Sequence, residues 1–222
     1  MLVDNTTPNG LFTDDHHTTR CVWCRASPVY QHYHDQEWGV PVENDKRLFE
    51  KICLEGFQAG LSWLTILNKR VAFRTAFADF DMDRVASFDD SDVKRLLLNA
   101  GIVRHAGKIA STINNAQRAK ELRQEFGSLG RYFWQFEPNP SSRPVTITHQ
   151  TLNNISTSPE SIAMSRDLKK RGWSFVGPTT MYAFMQAVGL VNDHIHGCHA
   201  RITVLAARSA FTSPALKPAS AQ

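Results

Sequence analysis

Apolar residues recur at helical spacing along most of the chain. Between positions 45 and 77 they return every three or four residues, the pattern of a helix with one face in a core. Gly56 and Gly60 interrupt this segment, and we expect the helix to break near one of them. No run alternates convincingly between apolar and polar side chains, as a half-buried strand would. The pattern therefore predicts an all-α fold.

Three further segments carry the boundary signals of helices. Residues 89–101 open on capping residues and end on a glycine. Residues 158–172 begin with Ser158 as N-cap and Pro159 at the first helical position, and basic residues occupy the last turn. Residues 178–189 form one more helix that ends on a glycine. Together with shorter segments, these signals predict eight to ten short helices in a compact fold.

The two ends differ in composition from the rest of the chain. Residues 1–19 are rich in Thr, Asp and Asn, and residues 209–222 are rich in Ala, Ser and Pro. Such compositions are typical of flexible tails. We therefore expect one folded domain over residues 20–200, preceded by a flexible tail and followed by a flexible tail at 201–222. The 222-residue chain is 42% hydrophobic, with thirteen Phe and five Trp, which is enough for a substantial core.

Charge and cysteine content narrow the class of protein. The formal charge of +4 suits a polyanionic partner such as nucleic acid without requiring one. No apolar run is long enough to span a membrane, and the first residues lack the form of a secretion signal. Four cysteines are too few for a disulfide scaffold, so reduced thiols remain available for a metal. We expect a cytoplasmic monomer without a membrane partner.

Two groups of histidine and cysteine lie near opposite ends of the predicted domain. The groups are His194, His196, Cys198 and His199 in one, and Cys21, Cys24, His32 and His34 in the other. Imidazole and thiolate are the usual ligands of zinc, and two from each group would complete a tetrahedral site that joins the two ends. The alternative is a pair of polar loops with buried cysteines and solvated histidines.

The turn between the last two predicted helices is a candidate DNA contact. Gly177 permits close approach of a backbone, and the following helix begins with unpaired N–H groups that can bind a phosphate without reading sequence. The segment resembles the helix-hairpin-helix element of DNA repair glycosylases. An ordinary pair of antiparallel helices is the alternative.

Four blocks of the chain resemble the 3-methyladenine DNA glycosylase I family in order and spacing. The blocks are "RCVWC…PVYQHYHDQEWGVP", "LFEKICLEGFQAGLSWLTILNKR", "AGIVRHAGKI" and "LKKRGWSFVGPTTMYAFMQAVGLVNDHIHGC". The resemblance runs from about Arg20 to Cys198. It implies a monofunctional DNA glycosylase that hydrolyses the N-glycosidic bond of 3-methyladenine in alkylated double-stranded DNA and starts base excision repair.

The resemblance also selects a ligand set for one structural zinc ion per chain. The family pattern implies the four ligands Cys21, His34, His194 and Cys198. Four protein ligands leave no position for water, which is the mark of a structural site. Cys24 lies close to Cys21 in the chain and competes with it for the same role.

A lone carboxylate marks the proposed substrate site. Glu55 stands in the apolar run "CLEGFQAGLSW", where burial of a carboxylate without a partner would be expensive. By composition alone it could be a surface residue of the helix; the resemblance implies instead that it is the catalytic residue that contacts the extruded base. The resemblance further implies that four aromatic residues line the base pocket: Trp63, Tyr33, Tyr30 and Trp23. Without it, these aromatics would be assigned to the core.

The remaining predictions concern DNA and the reaction. We expect the DNA contacts to come from the turn and the basic residues before it: Gly177, Thr179, Lys169, Lys170 and Arg171. The turn carries threonine where a lysine would be needed for a Schiff base, which predicts no strand cleavage. Related hairpin enzymes keep a catalytic Asp after the hairpin; Asp193 is the nearest candidate, and its role stays open.

Two other functions fit parts of the pattern. One is a non-catalytic zinc-stapled DNA-binding module, in which the aromatic residues are core; it would release no base from methylated DNA. The other is a metalloenzyme with an open zinc, which would lose turnover on chelation while its fold stayed intact. Four protein ligands argue against the second.

Overall fold

The computed structural model describes residues 9–216, and helices dominate this part of the chain. Its twelve α-helices are α1 (Pro28–Gln36), α2 (Asp45–Gln58), α3 (Trp63–Asn68), α4 (Arg70–Ala76), α5 (Met82–Ala86), α6 (Asp90–Leu98), α7 (Ala106–Phe126), α8 (Leu129–Phe133), α9 (His149–Asn153), α10 (Pro159–Lys170), α11 (Pro178–Ala187) and α12 (His199–Ala210). Two strands, β1 (Leu11–Thr13) and β2 (Thr19–Cys21), pair antiparallel. The all-α prediction is confirmed. None of the helices in this part of the chain is long and apolar enough to cross a membrane.

The long apolar segment breaks at one of the two predicted glycines. α2 ends just before Gly60, whose positive φ of 80° belongs to the left-handed region, and α3 begins after it. Ser62 caps α3 by accepting a hydrogen bond from the Thr65 N–H at 3.2 Å. Gly56, by contrast, lies inside α2. The segment divides into three helices, one reason why the helices outnumber the eight to ten expected.

The boundaries of α10 and α11 agree with the sequence signals. Ser158 accepts from the Ser161 N–H and forms a capping box, and Pro159 starts α10. α10 ends before Gly172 and α11 before Gly189, both with positive φ. The start of α10 and the ends of both helices therefore lie where the local sequence signals predict them.

The predicted N-terminal boundary of the folded domain lies too late in the chain. The hairpin β1–β2 falls largely within the predicted tail 1–19, and Leu11 and Phe12 are buried. Leu11 belongs to a small apolar cluster with Cys21, Ile195 and Cys198. Three-residue strands are too short to show a period in the sequence, so the pattern could not reveal them. Residues 1–8, the rest of that predicted tail, lie outside the described residues.

The predicted C-terminal boundary lies too early. α12 covers most of the first half of the predicted tail 201–222, and its Val204 is buried. Arg208 on the same helix donates to Glu137 at 2.6 Å. Ile202 and Leu205 of the same helix stay exposed, so only part of its apolar surface packs against the rest of the protein. Residues 217–222 lie outside the described residues.

Helix α2 runs through the centre of the molecule. It contacts α3, α7, α8 and α11, and ten of its residues are buried. Phe57 at its C-terminal end packs on Phe73 of α4 with ring centroids 4.6 Å apart. Because α2 is held on several sides, any side chain near its C-terminal end is fixed in position. Glu55 is such a side chain.

A close backbone contact at Gly189 generates a stability prediction. A Cβ at this position would lie 2.6 Å from Val40 C and from Pro41 N, and the backbone φ is +79°. Gly60 has the same left-handed φ, but a Cβ there would meet no atom within 4 Å, so this position isolates the backbone strain from the clash. We expect Gly60→Ala to lower the free energy of unfolding by about 1–2 kcal/mol. Gly189→Ala should lower it by more than about 3 kcal/mol. Urea unfolding of both variants measures this, and equal losses would contradict the contact.

Candidate functional site: an aromatic cavity beside a histidine and cysteine cluster

Four buried ligand-type side chains meet where the two ends of the domain come together. Their ligand atoms all lie within 4.8 Å of one another, and the four residues are Cys21, His34, His194 and Cys198. β2, α1, the segment after α11 and the N-cap of α12 each supply one. These are the four positions that the family pattern selected.

The distances inside this cluster fit a tetrahedral zinc ion. His34 Nε2 lies 3.1 Å from His194 Nδ1. Cys198 Sγ lies 3.4 Å from His34 Nε2 and 3.6 Å from His194 Nδ1. Zinc bonds of about 2.0–2.1 Å to nitrogen and about 2.3 Å to sulfur place tetrahedral ligand atoms about 3.3–3.8 Å apart. The side chains present can therefore hold zinc with small adjustments.

Hydrogen bonds outside the cluster orient both imidazoles. His34 Nδ1 lies 2.7 Å from the Asp35 carboxylate, and His194 Nε2 lies 3.0 Å from the Trp38 carbonyl. Each acceptor favours a proton on the outer nitrogen, so the inner nitrogen of each ring presents a lone pair to the centre. A hydrogen bond from Cys21, together with the two imidazoles, lowers the pKa of the Cys198 thiol well below its ordinary value, which favours the thiolate.

Cys24 points away from the cluster. Its thiol donates to the Cys21 carbonyl at 3.1 Å and is not among the grouped ligand atoms. The geometry thus separates two cysteines that the sequence could not separate. The other histidines of the two groups lie outside the four-residue cluster: His32, His196 and His199.

A cavity of about 320 Å³ brings all five predicted substrate residues together. Trp23, Tyr30, Tyr33, Glu55 and Trp63 all line it. Sequence reasoning missed five further lining residues, three of which come from helices distant in the chain: Trp38, Gln58, Leu152, Ala183 and Gln186. The volume is that of a small-molecule site.

Aromatic rings form the walls of this cavity. Tyr33 and Trp63 lie with centroids 5.3 Å apart and planes inclined by 49°. Trp23 makes edge contacts with Tyr30 at 4.9 Å and with Trp38 at 5.0 Å. Rings in such contacts hold one another in place and present rigid π-faces. The cavity can therefore stack a flat, electron-poor ring.

Glu55 is a buried carboxyl and not a surface residue of α2. Only 4% of it is exposed, and burial raises its pKa to about 8, while Lys51 one turn earlier pulls the pKa down. Lys51 is itself buried, with its Nζ 5.6 Å from the centroid of the Tyr33 ring. The carboxyl is thus poised near neutral pH, where a cation in the cavity would draw it into the charged form.

The turn before α11 leaves a helix N-terminus open. Gly177 is the N-cap, no side chain caps the helix there, and the next residue but one, Thr179, is exposed. Asn115 of α7 fixes the turn by accepting from Ser174 N at 3.1 Å and donating to Ser174 O at 2.9 Å. At Phe175 the turn touches α2, since a Cβ on Gly56 would lie 3.5 Å from the Phe175 Cβ. The open turn therefore adjoins the helix that carries Glu55.

The basic residues before the turn divide into two kinds. Lys169 and Lys170 are exposed. The Arg171 guanidinium donates to Glu125 at 2.6 and 3.0 Å and to Asp167 at 2.7 Å. Its charge is balanced within the protein, so the geometry does not support Arg171 as a DNA contact. The sequence could not show this, because Glu125 lies on a different helix.

Asp193 is fully buried, and both of its carboxylate oxygens have hydrogen-bond partners. Its carboxylate accepts from Tyr182 at 2.7 Å and from Gln186 at 2.8 Å, and it pairs with Arg143. It is not among the residues that line the cavity. In the structure this carboxylate binds three other side chains.

A cavity with aromatic walls, a buried carboxyl and an adjoining open helix N-terminus are features of proteins that hold a base extruded from nucleic acid. Comparison with known proteins identifies the family within this class. A model of the methyladenine glycosylase family matches residues 23–201. The chain belongs to that family.

Individual relatives and solved structures of the same family are also similar to this chain. DNA-3-methyladenine glycosylase 1 of Escherichia coli (strain K12) is 48% identical over 180 residues, which cover 81% of this chain and 95% of the relative. A crystal structure of 3-methyladenine DNA glycosylase I superposes with a TM-score of 0.75 at 46% identity and covers 81% of this chain and 98% of its own. A Tyr-to-Phe variant of such an enzyme, solved in complex with 3-methyladenine, has a TM-score of 0.75 at 34% identity and covers 82% and 97%.

Proposed function

We propose that the protein is a monofunctional DNA glycosylase that removes 3-methyladenine from alkylated double-stranded DNA by hydrolysis, and that it acts as a cytoplasmic monomer. The observation that carries this proposal is Glu55, a nearly inaccessible carboxyl in the wall of an aromatic cavity. The names of the relatives support the same substrate. The direct test is release of 3-methyladenine from methylated DNA by the purified protein.

The chemistry of the substrate suits this cavity. Methylation at N3 leaves the adenine cationic in DNA and weakens its glycosidic bond. The Glu55 carboxylate accepts a hydrogen bond from the exocyclic amine, and Tyr33 and Trp63 stack on the electron-poor ring. Water attacks the anomeric carbon as the carbon–nitrogen bond breaks. The electron pair of that bond leaves with the base as neutral 3-methyladenine, and the attacking water gives up a proton to the solvent. Recognition of the cation supplies most of the selectivity.

The hairpin turn supports hydrolysis without strand cleavage. Thr179 and Thr180 stand at the start of α11, and no lysine lies between positions 172 and 180. A bifunctional glycosylase needs an amine that forms a Schiff base with the sugar. With none available in the turn, water is the nucleophile.

The same turn is the proposed phosphate contact. No side chain caps the start of α11, and Lys169 and Lys170, shortly before the turn, are exposed. A helix N-terminus and nearby cations attract a DNA backbone regardless of its sequence. A damage-searching enzyme requires binding of this kind.

A structural zinc ion completes the proposal. It would be held by Cys21, His34, His194 and Cys198, whose donor set and spacing fit a closed four-ligand site. When bound, the ion would supply cross-linking of the two ends and no reaction chemistry. The closed ligand set argues against the rival with an open zinc.

The other rival is the non-catalytic zinc-stapled DNA-binding module. Glu55 argues against it, because a carboxyl whose pKa is raised by burial destabilises the fold at neutral pH and serves no purpose on a DNA-binding surface. The base-release test decides between the two. A module would bind methylated DNA and release nothing.

The first prediction concerns Glu55→Gln. The substitution keeps the size of the side chain and removes its charge. It should lower 3-methyladenine excision about ten- to a hundredfold, the loss of roughly 1.5–3 kcal/mol for a hydrogen bond with a charged group. Binding to an abasic duplex should not change. Trp63→Ala, which removes a stacking surface, should lose about as much, and the double variant should lose less than the product of the two.

The same variant should be more stable than the wild type. The pKa of Glu55 is raised to about 8 in the folded protein from an ordinary 4.5. The unfolded carboxyl therefore loses its proton first, and the wild type loses stability as pH rises from about 4.5 to about 8. The difference between the melting temperatures of Glu55→Gln and the wild type should grow as pH rises across this range. Above about pH 8 the difference should stay constant. Wild-type excision together with an unchanged melting temperature would remove Glu55 from the site.

The pH dependence of excision forms a second prediction. We expect the cationic base to bind only when Glu55 is ionised. The pH dependence of kcat/KM reports the pKa values of groups in the free enzyme. With a pKa of about 8, kcat/KM should rise about tenfold per pH unit below that value and level above it. The rising limb should vanish in Glu55→Gln. If kcat/KM of Glu55→Gln still rose with pH in this range, the titrating group would be a residue other than Glu55.

The third prediction concerns the metal. Cys198→Ser should remove zinc, as measured by elemental analysis, and should lower the melting temperature because a ligand to the cross-link is lost. Cys24→Ser is the matched control, since its thiol donates to a carbonyl outside the ligand group, and it should retain the metal. Loss of metal from Cys24→Ser with retention in Cys21→Ser would reverse the assignment.

The fourth prediction concerns the DNA contact. Gly177 has a φ of −61°, and an added Cβ would meet only Thr180 Oγ1 at 4.0 Å, so Gly177→Ala should fold normally. The methyl group should keep a phosphate from the amides and weaken binding of all sequences about tenfold. Lys170→Ala should instead reduce the slope of log affinity against log salt by about 0.9. Unchanged binding of Gly177→Ala to an abasic duplex would refute the contact.

A further inference from the structure

Gln186 lines the base cavity, and no step described so far uses it. It lies on α11, the second helix of the hairpin, and is half-buried. Its backbone carbonyl accepts from Gly39 N at 2.9 Å, next to Trp38 in the cavity wall. Its main chain is therefore held in place beside the cavity wall.

The side-chain amide of Gln186 has one allowed orientation. Its Nε2 donates to Asp193 Oδ2 at 2.8 Å. An ionised carboxylate can only accept hydrogen bonds, so the amide nitrogen must face Asp193 and the carbonyl oxygen must face elsewhere. The hydrogen bond thus defines which end of the amide is available as an acceptor.

Asp193 is built to hold that orientation. It is fully buried, and its other partners are Arg143, which pairs with its Oδ1, and Tyr182, which donates to Oδ2 at 2.7 Å. Arg143 also donates to the Tyr182 hydroxyl at 3.0 Å. A buried carboxylate that accepts from three donors, one of them a cation, is held in one position.

We propose that Gln186 determines specificity by offering its side-chain oxygen to the amine of the extruded base, and that Asp193 is the positioning residue that fixes this amide. The inference rests on the proposed function and deepens it. The exocyclic amine of 3-methyladenine carries two N–H donors, one for Glu55 and one for Gln186. A base with a carbonyl at that place, such as 3-methylguanine, would set its oxygen against two acceptors. The pair therefore selects an amino-bearing base over an oxo-bearing base.

The test compares the release of two bases from the same methylated DNA. Purified full-length variants are incubated with DNA that contains both 3-methyladenine and 3-methylguanine, and the released bases are separated and measured. Gln186→Met is close in size and removes the acceptor. It should lower the release of 3-methyladenine about tenfold and leave that of 3-methylguanine unchanged or higher, as expected from loss of one hydrogen bond to a charged group.

Asp193→Asn tests the positioning. An asparagine side chain can donate as well as accept, so the Gln186 amide would no longer be held one way round, and the ratio of the two products should fall. Introduced into Gln186→Met, the same change should not alter the ratio further. Tyr182→Phe is the matched control: it removes a different hydrogen bond from the same carboxylate and should leave the ratio unchanged. A purely structural role of Asp193 would lower stability in both backgrounds without moving the ratio.

The outcomes separate this inference from the proposed function. If the wild-type protein releases no 3-methyladenine, the proposed function fails. If it does, and Gln186→Met keeps the wild-type ratio, only the role of Gln186 is overturned. If Gln186→Met shifts the ratio and Asp193→Asn does not, Gln186 reads the base and the positioning role is overturned. Should Asp193→Asn fail to fold, the Gln186→Met ratio still decides the specificity claim.

Discussion

The base cavity depends on one contact between distant parts of the chain, the meeting of Cys21 and His34 with His194 and Cys198. Several aromatic walls of the cavity belong to residues 23–38, which are anchored at this cluster. His194 reaches the Trp38 carbonyl at 3.0 Å, so the cluster and the cavity wall share a hydrogen bond. A shift of the N-terminal segment would carry these aromatic walls away from Glu55, which sits on the central helix. Joining the ends is therefore a condition for having a cavity.

The residues around the four-residue cluster also help to hold the two ends of the domain together. Two imidazole nitrogens 3.1 Å apart, with two buried sulfurs beside them, bring electron pairs close together. A divalent ion at the centre would resolve this repulsion, and a dry environment would strengthen its bonds. Leu11 of the N-terminal hairpin closes the cluster with Ile195. The family match begins at residue 23, so this hairpin is a feature of the present chain outside the matched segment.

The features that could be predicted from the residues alone are those that depend on neighbouring residues in the chain. Ser158 and Pro159 start α10 by rules that involve only neighbouring residues, and that boundary is confirmed. The five aromatic and acidic cavity residues came from a resemblance that already carries tertiary information. By contrast, the pairing of Arg171 with Glu125 and the placement of Leu152 and Gln186 in the cavity depend on contacts between distant segments. No periodicity or motif in one sequence encodes such contacts, and three-residue strands fall below any detectable period.

In the function proposed here, the electrostatics of the cavity distinguish a damaged base from an intact one. Adenine in undamaged DNA is neutral, and with it in place Glu55 would have to stay protonated or bear a buried charge that only Lys51 offsets. A base methylated at N3 brings a positive charge, which stabilises the carboxylate within a few ångströms where water is largely excluded. The free energy that burial of Glu55 costs the folded protein is thus recovered only with a cationic ligand. Because the aromatic walls favour an electron-poor ring over a neutral one, both elements of the cavity discriminate by the charge of the base. Shape and hydrogen bonding then need to distinguish only among the few bases that carry such a charge.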